Sequence, residues 1–353
     1  MARTRVGLDI GSTAVRAAEL SMKTIPPALV RAAQVPLHEG AVVGGELREP
    51  GSVTEAVTEL WRVGKFKNKD VVLGVANQRV VVREVSIPWL EDPKELRESL
   101  PFQVQEFVPI SLEDAVLDFH TLEEYEREGR RMLRVLLVAA QKEMIRQLVR
   151  AVEAAKLRPI GLDLIPFALV RSVGSVDGMG LSEIDEGDEA LVDVGAEVTS
   201  ICVHAWGLPR FVRILPSGGR AVTTAVARSL AISEGEAEQL KRGYSSESES
   251  KLVEASRAAV DRAATFADEI RSSIEFYLSK MPGAKIGRIQ LSGGGSKLEG
   301  LHDLLQERLT GEVVEGHPFH RVHPKLDLEP QAMAEAEPLL AVAVGLALPG
   351  VRG

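Results

Sequence analysis

The feature that most restricts the fold is a short pattern that occurs three times: an apolar strand that runs into an acidic or hydroxylated glycine turn. The copies read VGLDIGST at 6–13, ALVDVGA at 190–196 and IQLSGGGS at 289–296. Glycine lets a phosphate approach the backbone, because no side chain separates the anion from successive N–H groups. One such turn is common at ordinary βα corners, but three along one chain predict a split nucleotide site.

Two aspartates, Asp9 and Asp193, end the first two strands of this pattern. A carboxylate beside a polyphosphate is repelled unless a cation lies between them. Both aspartates therefore predict Mg²⁺, bound directly or through its water ligands. Each half of the chain is expected to supply one acid to the same metal site.

Composition narrows the functional classes. The 353 residues, of which 45% are hydrophobic and 26% charged, are typical of a soluble globular protein with two or three domains. The net charge of −9 argues against a broad nucleic-acid surface, since phosphate contacts need clustered Lys and Arg. The single cysteine, Cys202, excludes an intrachain disulfide and a paired-cysteine zinc site, and it favours a reducing, cytoplasmic location.

Neither a secretory signal nor a membrane span is predicted. The first residues, MARTR, lead into a glycine-broken strand at Val6, whereas a signal peptide needs an uninterrupted apolar stretch. The longest apolar run lies between Pro338 and Pro349 and is shorter than the ~20 residues that cross a bilayer. We expect a buried helix there, and membrane contact only through a partner.

The order of strand and helix patterns predicts two related lobes. The predicted elements are strands at 5–10, 14–20 and 29–35, a helix at 53–63 and a strand at 71–75, followed in the second half by strands at 190–193, 199–204 and 209–215. The repeated βββ opening indicates a duplicated architecture. An acidic connection at 182–189 is expected to act as a hinge between the lobes.

Residues 80–156 differ from both lobes and predict an inserted α/β subdomain. Its predicted elements are a strand at 80–87, a helix at 93–107, an extended piece at 115–121, a charged turn at 123–131, a strand at 132–140 and a helix at 142–156. The predicted division of the chain is 1–79 with 157–185 for the first lobe, 186–216 with 284–353 for the second, and 217–283 for a helical, nucleotide-facing subdomain.

That helical subdomain contains two predicted features. A mobile loop rich in Ser and Glu is expected at 244–251. A long helix is expected at 253–280, with one apolar face formed by Val260, Ala263, Ala267, Ile270, Ile274 and Tyr277.

These patterns resemble the superfamily of actin, the heat-shock chaperones and the sugar kinases. The resemblance implies a two-lobed, ribonuclease-H-like α/β fold with duplicated βββαβα cores. Residues 9–13 look like the first phosphate loop, 193–199 like the second and 293–296 like the adenosine loop. The segments 159–172 and 338–349 look like the two connecting helices.

Within that superfamily, essentially the whole chain resembles the PilM family of type IV pilus assembly proteins, which are relatives of the division protein FtsA. The segments that carry this resemblance are PFQVQEFVPI at 101–110, LDF at 117–119, VLLVAAQKE at 135–143, ILPSGG at 214–219, EAEQLKR at 236–242 and LSGGGSKLEGL at 291–301. Together they are more specific than the glycine turns.

The resemblance implies ATP and Mg²⁺ as ligands. It assigns Gly11, Ser12 and Thr13 to the β- and γ-phosphates, with Gly195 and Ala196 opposite them. The other implied contacts are Gly218 and Gly219 near the phosphates and ribose, Glu238 on the ribose hydroxyls, Lys241 against adenine, and Gly293, Gly294, Gly295 and Ser296 as a wall for the base. Without the resemblance, Glu238 and Lys241 are more simply explained as part of the solvent-exposed face of a helix.

Two departures from the superfamily bear on hydrolysis. Many hydrolysing members carry a threonine where this chain has Val198, with Thr199 one residue further. The chaperones place a glutamate before the proline of the first connecting helix, whereas Ile165 precedes Pro166 here and the nearest acid is Asp163. Since an attacking water needs a positioned acceptor, we predict nucleotide binding with slow or absent turnover.

In the PilM family a short cytoplasmic N-terminal tail of the protein PilN docks into a groove between the inserted subdomain and the first lobe. The set Phe102, Phe107, Val108, Pro109 and Ile110 is by default the subdomain core, and the resemblance nominates it for this contact. It implies an adaptor on the cytoplasmic face of the inner membrane that joins the pilus alignment complex to cytoplasmic assembly ATPases.

Three histidines, His317, His320 and His323, have spacings compatible with a metal site. Pro318 and Pro324 interrupt any helix there, and no cysteine joins the set. We expect no metal at these residues.

Two other functions stay open at this point. An FtsA-like filament protein would end in an amphipathic membrane helix, whereas this chain ends PGVRG at 349–353. A small-molecule kinase of the same fold would need a catalytic aspartate in a sugar pocket, and compact kinases often carry a cysteine-rich zinc motif that this sequence lacks. Both are less favoured than the pilus adaptor.

Overall fold

A computed structural model of the chain describes residues 4–175, 187–243 and 249–350. The predicted hinge at 182–189 and the predicted loop at 244–251 fall mostly outside these ranges. The strands are β1 (Thr4–Ile10), β2 (Ala14–Ser21), β3 (Ala28–Pro36), β4 (Val42–Val43), β5 (Glu46–Leu47), β6 (Asp70–Val75), β7 (Val80–Pro88), β8 (Ala115–Arg127), β9 (Arg130–Gln141), β10 (Arg158–Leu164), β11 (Asp188–Val194), β12 (Thr199–Ala205), β13 (Leu208–Leu215), β14 (Ile286–Ser292), β15 (Glu312–Glu315) and β16 (His323–Pro324).

Helices cover both faces of the sheets. They are α1 (Pro50–Val63), α2 (Pro93–Val104), α3 (Lys142–Ala154), α4 (Ile165–Ser172), α5 (Gly219–Leu230), α6 (Glu234–Lys241), α7 (Glu249–Lys280), α8 (Leu301–Arg308), α9 (Pro330–Ala336) and α10 (Ala341–Ala347). Among the described residues, none of these helices combines the length and the apolar character that crossing a membrane requires.

The two large sheets repeat one topology. The first has the order β10-β6-β1-β2-β3-β16 and the second the order β13-β12-β11-β14-β15. In each sheet three successive strands form an antiparallel meander, and the strand that follows later pairs in parallel with the first of the three. The duplicated, two-lobed fold predicted from the repeated βββ pattern is confirmed. This topology places the carboxyl ends of β1 and β11 at corresponding positions in the two lobes.

The inserted residues form a separate three-stranded sheet of order β7-β9-β8, covered by α2. The charged turn predicted at 123–131 is wrong, because β8 and β9 continue until only Glu128 and Gly129 turn the chain. The charges lie on the strands and pair between them, as Arg134 does with Glu123 at 2.8 Å. A run of charged residues is therefore compatible with a β-hairpin that has one solvent-exposed face.

Helix α3 packs outside the inserted subdomain to which the sequence pattern assigns it. Leu148 and Val152 of α3 share a buried cluster with Val53 and Leu60 of α1 and with the first sheet. The core of the inserted sheet contains none of the described α3 residues. The contacts of α3 favour an earlier end of the insertion, near Gln141, whereas the other predicted domain boundaries stay predictions.

The long helix α7 follows its predicted apolar face along most of its length. Ala263, Ala267, Ile270 and Ile274 are buried, but Val260 is 40% exposed, so this residue of the predicted apolar face does not pack into the core. The N-terminal half of α7 turns a different face inward, where Ala255 is buried against α5 and α6.

The two predicted connecting helices have different outcomes. The segment 338–349 is a buried helix as predicted, with a short 3-10 turn at Pro338–Leu340 before α10. The helix predicted at 159–172 is wrong in its first half, because 158–164 form β10 and only Ile165–Ser172 is helical. Pairing with β6 satisfies one side of the backbone of this half, and its Pro and Gly disfavour a helix.

Glycines allow α10 to pack very closely against its neighbours. A Cβ added to Gly345 would lie 2.0 Å from the carbonyl oxygen of Ala168 in α4, and one added to Gly7 in β1 would lie 2.1 Å from that of Ala343. No side chain fits at either position without movement of a backbone. The two connecting helices and the first sheet are thus held together by direct backbone contact.

Substitution Gly345→Ala is expected to destabilise the protein by about 1–3 kcal/mol, because an overpacked core must shift its backbone. Thermal and urea unfolding would measure the change. Gly51→Ala is the matched control, since nothing lies within 4 Å of a Cβ at this helical position. Equal stability of the two variants would contradict the close crossing of the helices.

Candidate nucleotide-binding site

Two carboxylates lie at the base of the site, at the carboxyl ends of β1 and β11. Asp9 is buried, and Ser292 donates to Asp193 at 3.0 Å. Burial raises the pKa of Asp193 to about 7, and the charge of Asp9 contributes to this rise. Burial also raises the pKa of Asp9, against the opposing charge of Arg16. The two acids are therefore close enough to repel each other, and a cation between them would relieve that repulsion.

Arg16, which the sequence patterns did not single out, lies beside these acids. The register of β1 and β2 places Arg16 opposite Asp9, and its Nη1 lies 3.6 Å from Asp9 Oδ2. Among the described residues, its buried Nε has no hydrogen-bond partner. Counting strand positions backward and forward from the Gly11 turn would have predicted this pairing. Arg16 adds a cation to the wall that the first glycine turn forms.

The first predicted phosphate loop is the tight turn between β1 and β2. Gly11 N–H donates to the carbonyl of Ala14 at 3.0 Å, which closes the turn. Ser12 is half-buried and Thr13 is exposed at its tip. The hydroxyls that the sequence assigned to phosphate are thus accessible.

The second predicted loop is joined by hydrogen bonds to the start of α5. Gly219 N–H donates to the carbonyl of Gly195 at 3.0 Å, and Arg220 N–H donates to that of Ala196 at 2.8 Å. A Cβ on Gly218 would lie 2.3 Å from the Gly195 oxygen, so only glycine fits. The structure therefore brings together four residues for which the resemblance implies a place near the phosphates: Gly195, Ala196, Gly218 and Gly219.

The third predicted loop follows β14 and lies against the second. Gly293 has φ of 81°, and a Cβ there would lie 2.5 Å from the carbonyl oxygen of Val194. Gly295 is buried against the Val194 side chain, Gly294 is exposed, and Ser296 donates to Gly293 O at 2.8 Å. Glycine at 293 and 295 therefore lets this turn pack directly against the end of β11, while Gly294 stays exposed.

The predicted ribose and adenine contacts lie beside these loops. Lys241 Nζ donates to the carbonyl of Gly219 at 3.2 Å and lies 2.6 Å from a carboxylate oxygen of Glu238. Burial opposes ionisation of Glu238, but the hydrogen bonds from Lys241 and Thr223 outweigh it and lower the pKa of this carboxyl. The Lys241 side chain is only 12% exposed, so these residues are not an ordinary solvated helix face. Their contacts to ribose and adenine stay predictions.

The two positions that bear on hydrolysis are already engaged. Thr199 is buried and its hydroxyl donates to the carbonyl of Ser217 at 2.7 Å. Asp163 forms an ion pair with Arg171, which also donates to the carbonyl of Gly345 at 2.9 Å. The hydroxyl proton of Thr199 and one carboxylate oxygen of Asp163 are thus already used within the protein.

The donor set fits a magnesium–nucleotide complex. Mg²⁺ commonly takes one or two carboxylates and completes its shell with water and phosphate oxygens. The described residues contain no cluster of three or more His, Cys, Asp or Glu side chains that could enclose a metal by themselves. Asp9 and Asp193, together with glycine turns that a side chain would fill, match this requirement for shared ligation.

The remaining nominated residues lie away from the cleft. Phe102 is 81% exposed on α2 and Pro109 is exposed, whereas Phe107 and Ile110 pack partly into the core of the inserted sheet. A groove of about 230 Å³ lies between α2 and β8, and it is lined by Arg97, Leu100, Pro101, Leu112, Ala115, Leu117, Asp118 and Phe119. The nominated set is thus divided between core and surface.

The predicted absence of a metal at the three histidines stays a prediction. The rings of His317 and His320 lie 4.9 Å apart, and His317 Nδ1 lies 3.4 Å from Glu337 Oε2.

The paired sheets, the acid at the end of each central strand and the glycine turns define an actin-like, two-lobed fold. The comparisons with known proteins agree and give the family. The model of the family described as type IV pilus assembly protein PilM matches residues 7–351, so the chain belongs to this family.

Three known proteins show how far the similarity extends. A solved PilM-PilN type IV pilus biogenesis complex is 30% identical with a TM-score of 0.84, and the match covers 99% of both chains. MreB 5 of Spiroplasma citri, bound to AMPPNP, is 12% identical with a TM-score of 0.50 over 98% of this chain and 95% of that one. The cell division protein FtsA of Bacillus subtilis (strain 168) is 25% identical over 195 residues, which are 50% of this chain and 43% of FtsA.

Substitution Asp193→Asn is expected to stabilise the ligand-free protein at pH 8, and less so at pH 5. The folded-state pKa of about 7 lies above the usual 3.8, so between these values the native state holds a proton that the unfolded state has lost. Wild-type stability therefore falls as pH rises through this window. We expect the variant to melt about 2–4 °C higher at pH 8, measured by circular dichroism in EDTA.

The control for this experiment is Asp303→Asn, because the Asp303 side chain is 85% exposed. If the melting temperatures of wild type and Asp193→Asn changed by the same amount between pH 5 and pH 8, the raised pKa of Asp193 would be contradicted.

Proposed function

We propose that the chain binds Mg·ATP between its two lobes. The observation that supports this most directly is the pair Asp9 and Asp193, which repel each other and face glycine turns from both halves of the chain. Arg16 would contribute a further positive charge to the phosphates. MreB 5 of Spiroplasma citri was solved bound to AMPPNP, so a protein of the same fold binds a nucleotide.

Turnover of the bound nucleotide is slow or absent in this proposal. Val198 stands where hydrolysing members of the superfamily carry a hydroxyl, and the Thr199 hydroxyl is committed to a backbone carbonyl. The Asp163 carboxylate is committed to Arg171. The nucleotide would then act as a structural ligand that holds the lobes together, rather than as a substrate for hydrolysis.

The biological role in this proposal is that of an adaptor in type IV pilus assembly. The chain would lie in the cytoplasm at the inner face of the membrane, bind the cytoplasmic N-terminal tail of PilN and link it to the assembly ATPases. The match to the PilM–PilN complex, with a TM-score of 0.84 over 99% of both chains, is the observation that carries this role. The FtsA match spans less than half of that protein, so a division filament is less well supported.

The nucleotide proposal predicts that Mg·ATP raises the melting temperature of the wild-type protein. A ligand that binds only the native state at 100 times its Kd stabilises it by about 2.7 kcal/mol. Asp9→Ala is expected to lose this ligand-dependent shift, whereas Asp303→Ala, at an exposed acid, is expected to keep it. The same melting temperature with and without Mg·ATP in the wild-type protein would contradict the proposal.

The partner proposal predicts that this protein binds one copy of a synthetic peptide. The peptide has the N-terminal tail sequence of the PilN that is encoded beside it. Isothermal titration in the presence and absence of Mg·ATP would measure it. Phe102→Ala is expected to weaken binding by about tenfold, since loss of an exposed aromatic anchor costs more than 1 kcal/mol. Trp206→Ala removes another exposed aromatic, 71% exposed and in the second lobe, and is expected to leave peptide affinity unchanged. The absence of peptide binding in both nucleotide states would overturn the adaptor role.

A further inference from the structure

A contact between the lobes adjoins the proposed phosphate site and involves Glu197 of the second predicted phosphate loop. The hairpin β4–β5 of the first lobe reaches the second lobe, where Gly44 N–H donates to Glu197 Oε2 at 2.7 Å. Arg220 of α5 forms an ion pair with Glu197 at 3.0 Å and another with Glu39 of the first lobe. We call Glu39, Gly44, Glu197 and Arg220 the interlobe clasp.

On the second lobe, the clasp is part of the proposed phosphate site itself. Glu197 immediately follows Ala196, and Arg220 immediately follows Gly219. The backbone N–H of Arg220 donates to the carbonyl of Ala196 at 2.8 Å, which ties helix and loop into one unit. Any force on the Glu197 or Arg220 side chain therefore acts on the backbone that faces the phosphates.

On the first lobe, the clasp is attached to the base of the inserted subdomain. Glu46 of the hairpin forms an ion pair with Arg79 at 2.8 Å, and Asn77 donates to the carbonyl of Gly45 at 3.4 Å. Both partners lie in the connection from β6 to β7, where the insertion begins. The hairpin thus connects the inserted subdomain to the nucleotide cleft.

The clasp has more negative than positive charges, so it depends on the single arginine, Arg220. Arg220 serves three carboxylates, since it also lies 3.1 Å from Glu234 of α6. The side chains of Arg220 and Glu197 are 27% and 14% exposed, which limits screening by solvent. Without Arg220, the carboxylates of Glu39 and Glu197 would lose the cation that they share between the lobes, although Glu39, with 69% of its side chain exposed, is partly screened by solvent.

We propose that the interlobe clasp holds the lobes closed at the phosphate end and sets the rate at which nucleotide leaves. This inference rests on the proposed nucleotide function. The clasp residues position the second phosphate loop and do not themselves contact the reacting atoms. Loss of the clasp should therefore raise the dissociation rate constant of the nucleotide, with a smaller effect on its association.

The test is stopped-flow release of a fluorescent ATP analogue in the presence of Mg²⁺ from the full chain. Arg220→Ala is expected to raise the dissociation rate constant about tenfold or more, because it unpairs like charges across the cleft. Glu39→Gln removes only the interlobe ion pair and is expected to raise it about two- to fivefold. The matched control is Glu234→Gln, since Glu234 meets Arg220 within the same lobe and should leave the rate near that of wild type.

A second readout tests the clasp without nucleotide. Amide hydrogen exchange at 39–47 in the ligand-free protein is expected to accelerate in Glu197→Ala, because this variant removes the acceptor of the Gly44 N–H. If wild-type protein binds no nucleotide, the proposed function fails, and the exchange result still decides whether the clasp forms. The clasp proposal would be overturned if Arg220→Ala released nucleotide at the wild-type rate. It would also be overturned if amide exchange at 39–47 were unchanged in Glu197→Ala.

Discussion

The arrangement of both lobes depends on the close contact of α4 and α10. The two helices share one buried cluster with Val72 of the first sheet and with Leu191 and Cys202 of the second. Because Gly345 brings the backbone of α10 against Ala168, the helices cannot separate without exposing the apolar surface of both sheets. This contact fixes the two sheets relative to each other and therefore the relative positions of the acids at the ends of β1 and β11.

The site that results is electrostatically unfavourable without a ligand. Burial and mutual repulsion raise the pKa of Asp193 to about 7, and Arg16 offsets only part of the charge of Asp9. A protein that keeps two acids in this position loses stability at neutral pH. A bound cation would recover it, which gives a physical reason for ligand binding and lobe closure to be coupled.

The interlobe clasp and the α4–α10 contact act at different places on the same cleft. The helices form a permanent core between the lobes, whereas the clasp is a partly exposed set of charges that can open. Its attachment through Arg79 and Asn77 places it beside the insertion that the adaptor proposal assigns to partner binding. In this proposal, a change in that insertion would reach the second predicted phosphate loop through the β4–β5 hairpin.

The duplicated fold, the three glycine turns and the two acids could be predicted from the amino-acid order alone, because these features depend on local rules. Each turn is an apolar strand followed closely by glycine, and the first two carry an aspartate, so the pattern can be recognised from a few neighbouring residues. The register that places Arg16 beside Asp9 follows from the same turn and was also predictable. The family of the chain was evident too, since its landmark segments are distributed along the whole sequence.

The remaining features could be seen only in the folded protein, because they depend on which other segments each one packs against or pairs with. Residues 158–164 are a strand because β6 offers hydrogen-bond partners, although the resemblance assigns the whole segment 159–172 to a connecting helix. Val260 is exposed because α7 turns a different face toward α5 and α6, and α3 joins the first lobe because it meets α1. The clasp joins Gly44 to Glu197, which are 153 positions apart, and a pairing of ordinary residues over such a distance has no local signature in the sequence.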